Sequence, residues 1–222
     1  MIYHKLKLKM KGIIFILLML SASYSYSQSP MDLFNAGLGI SQNSNQDKLE
    51  KRWFSNLEVE FGINNEVKYD YSHHTNGRLM GRSSAELENK ATYGILYSIN
   101  YPVFNKFTVG AVGGFQHQVQ QSISALKLGG IIRYHFVNYE SVNINLMTAY
   151  NMALSNNIAS QMANVRLGLQ FPVKRTENLN INMNIFGDFN DYIFNEPILN
   201  EPTERPNGIL FRSFGISLGI QF

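Results

Sequence analysis

The sequence has no cysteine, a single tryptophan, six prolines and few charges: Asp, Glu, Lys and Arg make up 16% of its 222 residues. Without cysteine there is no disulfide framework and no lipid-anchored form. The main apolar run, Ile13 to Leu20, falls well short of the roughly 20 residues that a spanning helix requires. No P-loop, zinc-ligand spacing or dinucleotide fingerprint is visible, and no internal repeat. No metal and no cofactor are therefore expected.

The positive charge is concentrated at one end. Lys5, Lys7, Lys9 and Lys11 precede the apolar run, and small residues at alternate positions follow it as far as Ser27. This is the layout of a secretory signal peptide, so residues 1–27 are expected to be cleaved and 28–222 to form the mature domain. Four of the nineteen bases and none of the sixteen acids lie before Gln28, which leaves fifteen bases against sixteen acids and a formal charge of −1. Nucleic acid is accordingly not an expected partner.

The mature chain alternates between apolar and polar residues with a period of two, the pattern of strands with one apolar face. The last stretch is the clearest: Phe214, Ile216, Leu218, Ile220 and Phe222 share one face, and Ser213, Gly215, Ser217, Gly219 and Gln221 share the other. The same pattern occurs from Leu33 to Ser41 and from Trp53 to Ile63, and after an Asn64-Asn65 turn signal it returns through Val67, Tyr69 and Tyr71. Six further alternating stretches lie between Thr92 and Asn190. The long connections are expected outside, at Gln42 to Arg52, His73 to Lys90 and Asp191 to Leu210. Short turns are expected on the other side, at Pro102 to Lys106, Asn138 to Ser141 and Lys174 to Asn178. The count is ten strands, or eight if Leu33–Ser41 and the Asn64-Asn65 hairpin do not span, and either even number returns both ends to one side.

The predicted fold is all-β, an antiparallel up-and-down transmembrane barrel with its apolar face to lipid. A secreted barrel or sandwich also alternates, but three features favour the membrane. The apolar face carries no Asp, Glu, Lys or Arg, and a charge at mid-bilayer there costs about 2–4 kcal/mol. Its aromatics gather at strand ends, with Tyr101, Phe107, Phe136, Phe171 and Phe222 at one level and Tyr71, Tyr93, Phe115, Tyr150, Phe189 and Phe214 at the other. The polar face is rich in Gly, Asn, Ser and Gln, which cannot form a dry core. On that face Glu58, Glu60, Glu66, Lys68, Asp70, Lys127, Arg133, Arg166 and Asp188 are expected to pair within the lumen.

The alternating meander, the N-terminal leader and the terminal aromatic residue resemble the small outer-membrane β-barrel proteins of Gram-negative bacteria. That resemblance implies an outer-membrane location, contact with membrane lipid and lipopolysaccharide, and a C-terminal strand ending at Phe222 that the barrel assembly machinery reads. It leaves the role open between structural or surface-binding protein, porin-like pore and enzyme. The stretch His73-His74-Thr75-Asn76-Gly77 is similar to the H-x-S-N motif of outer-membrane lipid A deacylases. The likeness implies His73 as base, Thr75 in the place of the serine and Glu86 or Glu88 as acid. His73 and His117 are expected on the lipid face near the outer leaflet.

Overall fold

The computed structural model describes residues 51–138, 140–154, 158–176 and 179–222. Leu33–Ser41 and the leader lie outside the described residues. Among the described residues nine strands form: β1 (Phe54–Thr75), β2 (Arg78–Glu86), β3 (Ala91–Phe104), β4 (Phe107–Gln118), β5 (Ile123–His135), β6 (Asn143–Ala153), β7 (Ile158–Arg175), β8 (Asn180–Phe194) and β9 (Glu204–Gln221). Each pairs antiparallel with its neighbours, and β9 pairs back onto β1, closing a barrel. Strands β2 and β3 lie in line along one edge of β1, β2 against Lys68–Thr75 and β3 against Phe54–Ile63. Counted around the ring, the described residues therefore make eight staves, the smaller of the two expected numbers.

The first stave corrects the expected hairpin. Asn64-Asn65 is no turn: β1 runs straight through it, with Asn65 as the extra residue of a β-bulge between Asn64↔Ser213 and Glu66↔Arg212. The Asn89 side-chain amide donates to the carbonyl of Asn65 at 3.1 Å, holding the bulge against the β2–β3 break. The chain reverses eleven residues after Asn65, at Asn76-Gly77. Both residues have positive φ (52° and 76°), as a two-residue hairpin turn of this kind needs. His73–Lys90, expected as a loop, is thus mostly the β1/β2 hairpin. Likewise Asp191–Leu210 is mostly strand, and residues 195–203 connect β8 to β9.

Below the bulge the side chains sort as a bilayer demands. Apolar residues point outward and remain uncovered, with Phe214 66% and Leu218 59% exposed, while their polar neighbours are buried inside. In water this arrangement would be inverted; against lipid tails it is the stable one. From Phe214 to Phe222 the band spans about 21 Å for strands tilted near 40°, comparable to the ~25 Å apolar height of an outer-membrane barrel. The start of β1 and Phe222 meet at one rim, where Ser55 and Phe222 exchange backbone hydrogen bonds of 2.8 and 3.0 Å.

Above the bulge the sorting reverses. A one-residue insertion shifts every later side chain of β1 to the opposite face. Val67, Tyr69 and Tyr71 consequently point inward and are buried. They pack with Ile123, Ala125, Tyr192, Phe194, Ile209 and Phe211 into an apolar core that fills the outer end of the barrel. Tyr71, expected in the outer aromatic belt, belongs to this core. Lys68 and Asp70, expected in the lumen, point outward and pair with each other in solvent at 3.4 Å. Glu66 also leaves the lumen and meets Arg212 at 2.6 Å on the outside.

Candidate functional site

The lumen below the apolar core holds the expected charges, closely paired. Arg166, 1% exposed, donates to Glu60 at 2.5 Å and to Asp188 at 3.0 Å, and its guanidinium lies 3.9 Å over the Phe186 ring. Asp188 also meets Lys127 Nζ at 3.5 Å and accepts from Gln116, Asn164 and Asn190. Nearer the chain ends, Arg133 donates to Asn100 and approaches Glu58 at 3.9 Å, while Glu58 accepts from Ser217 and Asn56 at 2.6 Å each. Space for this packing comes from small neighbours: a Cβ on Gly94 would stand 2.6 Å from Glu60 Oε1. Leu96, Val112, Ile131 and Met147 add an apolar cluster on the facing wall. Three cations and three carboxylates thus neutralise one another inside a filled barrel, the bland pairing that the sequence suggested for these six residues.

The outer end is organised by one carboxylate. Glu204, at the start of β9, accepts from the Tyr69 hydroxyl at 2.6 Å and from the backbone N–H groups of Ile198, Leu199 and Glu201 at 2.8, 3.3 and 3.2 Å. Burial opposes the charged form, but these four donors outweigh it and hold the Glu204 carboxyl below the ordinary carboxylate range. Burial, then the neighbouring carboxylate, push the Tyr69 hydroxyl up. The effect is a latch that draws residues 195–203 over the mouth and ties them to the apolar core.

That latch places the 201–203 turn against His73. The imidazole lies on the inner side of β1, edge-on to Tyr71 with ring centroids 5.1 Å apart. Its Nε2 is 3.1 Å from Ser83 Oγ, and its Nδ1 is 3.2 Å from Thr203 Oγ1 and 3.8 Å from Glu201 Oε2. The deacylase-like set is not assembled. Thr75 is exposed at the hairpin tip, and Glu86 pairs in register with Lys68, five residues down the strand from His73 and so about 17 Å away. Glu88 pairs with Lys90 at 3.6 Å in solvent. Sequence reasoning found His73 but not Ser83, Glu201 or Thr203. They meet only through the β1/β2 register and the 195–203 connection, neither of which has a local signal.

His117 alone of the two expected histidines faces outward at the belt, with Nδ1 2.8 Å from Ser124 Oγ and its ring 5.0 Å from Tyr93. Higher on the wall, Arg82, Ser72 and Arg205 form one cross-strand row over β2, β1 and β9. Both arginines are exposed, and neither has an ion-pair partner among the described residues. Beside them is a cleft of about 530 Å³ lined by Asp70, Tyr71, Arg82, Ser83, Ser84 and Asn207.

No protein-family model matches the chain, and no curated protein matches it. Among solved structures it is similar to the outer membrane protein AlkL in DMPC lipid bilayers, at 11% identity and a TM-score of 0.45 over 78% of this chain and 90% of that one. It is similar to the outer membrane protein OprG from Pseudomonas aeruginosa at 11% identity and a TM-score of 0.44, covering 78% and 97%. A Pseudomonas aeruginosa FadL homologue matches at 12% identity and a TM-score of 0.28, covering 76% and 49%.

Proposed function

We propose that this is an integral outer-membrane protein whose spanning section is a sealed anchor and whose outer extension is the working surface, binding anionic saccharide of the outer leaflet. The observation that carries the reading is the reversal at Asn65: above it the barrel wall continues with a water-facing polar exterior and its own apolar core. A plain membrane plug has no need of such an extension. Export on residues 1–27 and insertion by the barrel assembly machinery through the strand ending at Phe222 complete the proposal.

The ligand class follows from charge. Arg82 and Arg205 flank Ser72 on the strands either side of β1, with no carboxylate pairing them among the described residues, and arginine pairs match the oxygens of phosphate and carboxylate groups. Lipopolysaccharide carries such groups just above the bilayer. The pore alternative is disfavoured by buried charge pairs in the lumen and an apolar core at its outer end; only stepwise conductance in planar bilayers would restore it.

The test is binding of purified lipopolysaccharide to the detergent-folded protein at about 50 and 300 mM salt, for the native chain and Arg82→Ala/Arg205→Ala. Each lost charge-assisted contact is worth about 1.5 kcal/mol, so affinity should fall at least tenfold in the variant and lose most of its salt dependence. Equal affinity in the two proteins would overturn the reading.

A further inference from the structure

The geometry points to a second activity in the same extension: we propose that Ser83, His73 and Glu201 form a serine-hydrolase centre that cleaves short O-acyl esters of surface saccharides. It goes beyond the reading above: the arginine row stands on the outer face of β2 and these three groups on the inner face, so the chemistry rests on a separate set of side chains.

The three groups come from three elements and are linked in the order a nucleophile, base and orienting acid require. His73 Nε2 is 3.1 Å from Ser83 Oγ, within hydrogen-bond reach of the proton it would take. On the other side of the ring, Nδ1 faces Thr203 Oγ1 at 3.2 Å and the Glu201 carboxylate at 3.8 Å. With Nδ1–H directed at these oxygens, Nε2 is the free base. The Glu204 latch fixes the turn that carries both of them. Among the described residues β2 pairs only with β1, so alternate N–H groups on its other edge, beside Ser83, are unoccupied donors for a developing oxyanion.

Position selects the substrate. Ser83 pairs with Tyr71, six residues beyond the bulge, so it stands roughly 15–20 Å above the apolar belt, out of reach of acyl chains lying in the bilayer. Its side chain faces the inner side of the wall with Tyr71 and His73, opposite to Arg82. In the reaction, Ser83 Oγ bonds to the acyl carbon as its proton passes to His73 Nε2. The bond from that carbon to the sugar oxygen breaks, and His73 returns the proton to the leaving alcohol. Water then attacks the acyl-serine, with His73 taking its proton and delivering it to Ser83 Oγ, which releases a short carboxylic acid. Glu201 and Thr203 orient the imidazole throughout.

The folded protein in detergent is treated with a fluorophosphonate probe, the labelled residue is identified by peptide mass spectrometry, and hydrolysis of p-nitrophenyl acetate is followed in parallel. Label on Ser83, its loss in Ser83→Ala and His73→Gln, and a fall in turnover of at least about 100-fold in each are expected. Glu201→Gln should keep the label at a rate about tenfold slower. Folding of each variant is read independently from its heat-modifiable mobility, and lipopolysaccharide binding through Arg82 and Arg205 is measured on the same samples. A folded native protein that takes no label, labels at Ser124, or labels equally as Ser83→Ala overturns the hydrolase while leaving the binding result to stand or fall by itself.

Discussion

Replacing Arg166 with leucine leaves Glu60 and Asp188 buried with Lys127 as the cation in contact, at 3.5 Å from Asp188. The native site balances Arg166 and Lys127 against these two acids; the variant is one negative charge in excess inside a filled barrel. Removing one partner of a buried pair costs about 3–5 kcal/mol, because the remaining carboxylate is desolvated without compensation. With a urea slope of about 1–3 kcal/mol per molar, the unfolding midpoint in detergent should fall by something on the order of 2 M. The double variant Arg166→Leu/Glu60→Gln restores neutrality and keeps the Lys127–Asp188 contact, so it should recover more than half of the loss. Tryptophan fluorescence and heat-modifiable mobility follow both transitions. If the single variant costs less than about 1 kcal/mol, or the double variant is no more stable than the single, charge balance is not what holds the lumen together.

Other outcomes follow from the reversal and the latch. A lysine at Val59, on the lipid face, should cost about 2–4 kcal/mol of stability in lipid, whereas a lysine at Ser84, exposed on the extension, should cost under about 0.5 kcal/mol; equal costs would place the water boundary elsewhere. The folded-state pKa of Glu204 is depressed, so the stability it lends the 195–203 connection is fully present above the ordinary carboxylate range and is lost as pH falls through the folded value. Hydrogen exchange of the Ile198, Leu199 and Glu201 amides, corrected for intrinsic rates, should therefore lose protection only as pH falls below the ordinary carboxylate range. Glu204→Ala should show that loss already at neutral pH; unchanged protection there would remove the latch.

Between Thr92 and Asn190, and again from Ser213, the period-two pattern and the charge-free face were enough to read the staves, because the lipid side of each strand there is consistently apolar; Asp191–Leu210 was not legible because its apolar residues turn inward to the core. The first stave was misread for a physical reason. Asn64-Asn65 has the composition of a turn, and a bulge uses the same conformational tolerance, so the local residues do not separate the two. That single choice moved Lys68 and Asp70 to the wrong face and hid the core of Val67, Tyr69 and Tyr71. The six remaining luminal charges were legible because they alternate with lipid-facing residues on stretches that no bulge interrupts. His73 stood out by residue type, but Ser83 is one of many serines until the β2 register places it.

The bulge also acts as a depth gauge. Strand β1 keeps its apolar residues at odd positions from Leu57 to Tyr71, and the inserted Asn65 alone decides which of them meet lipid and which meet one another. Strand β9 solves the same problem by changing its sequence instead, with Phe211 inside and Phe214 outside on an unbroken backbone. A shift of the insertion by two residues would slide the lipid–water boundary along the barrel axis by about 5 Å without altering one side chain's chemistry. The height to which the extension carries Arg82 and Ser83 above the bilayer is in this sense set by the place of a single residue.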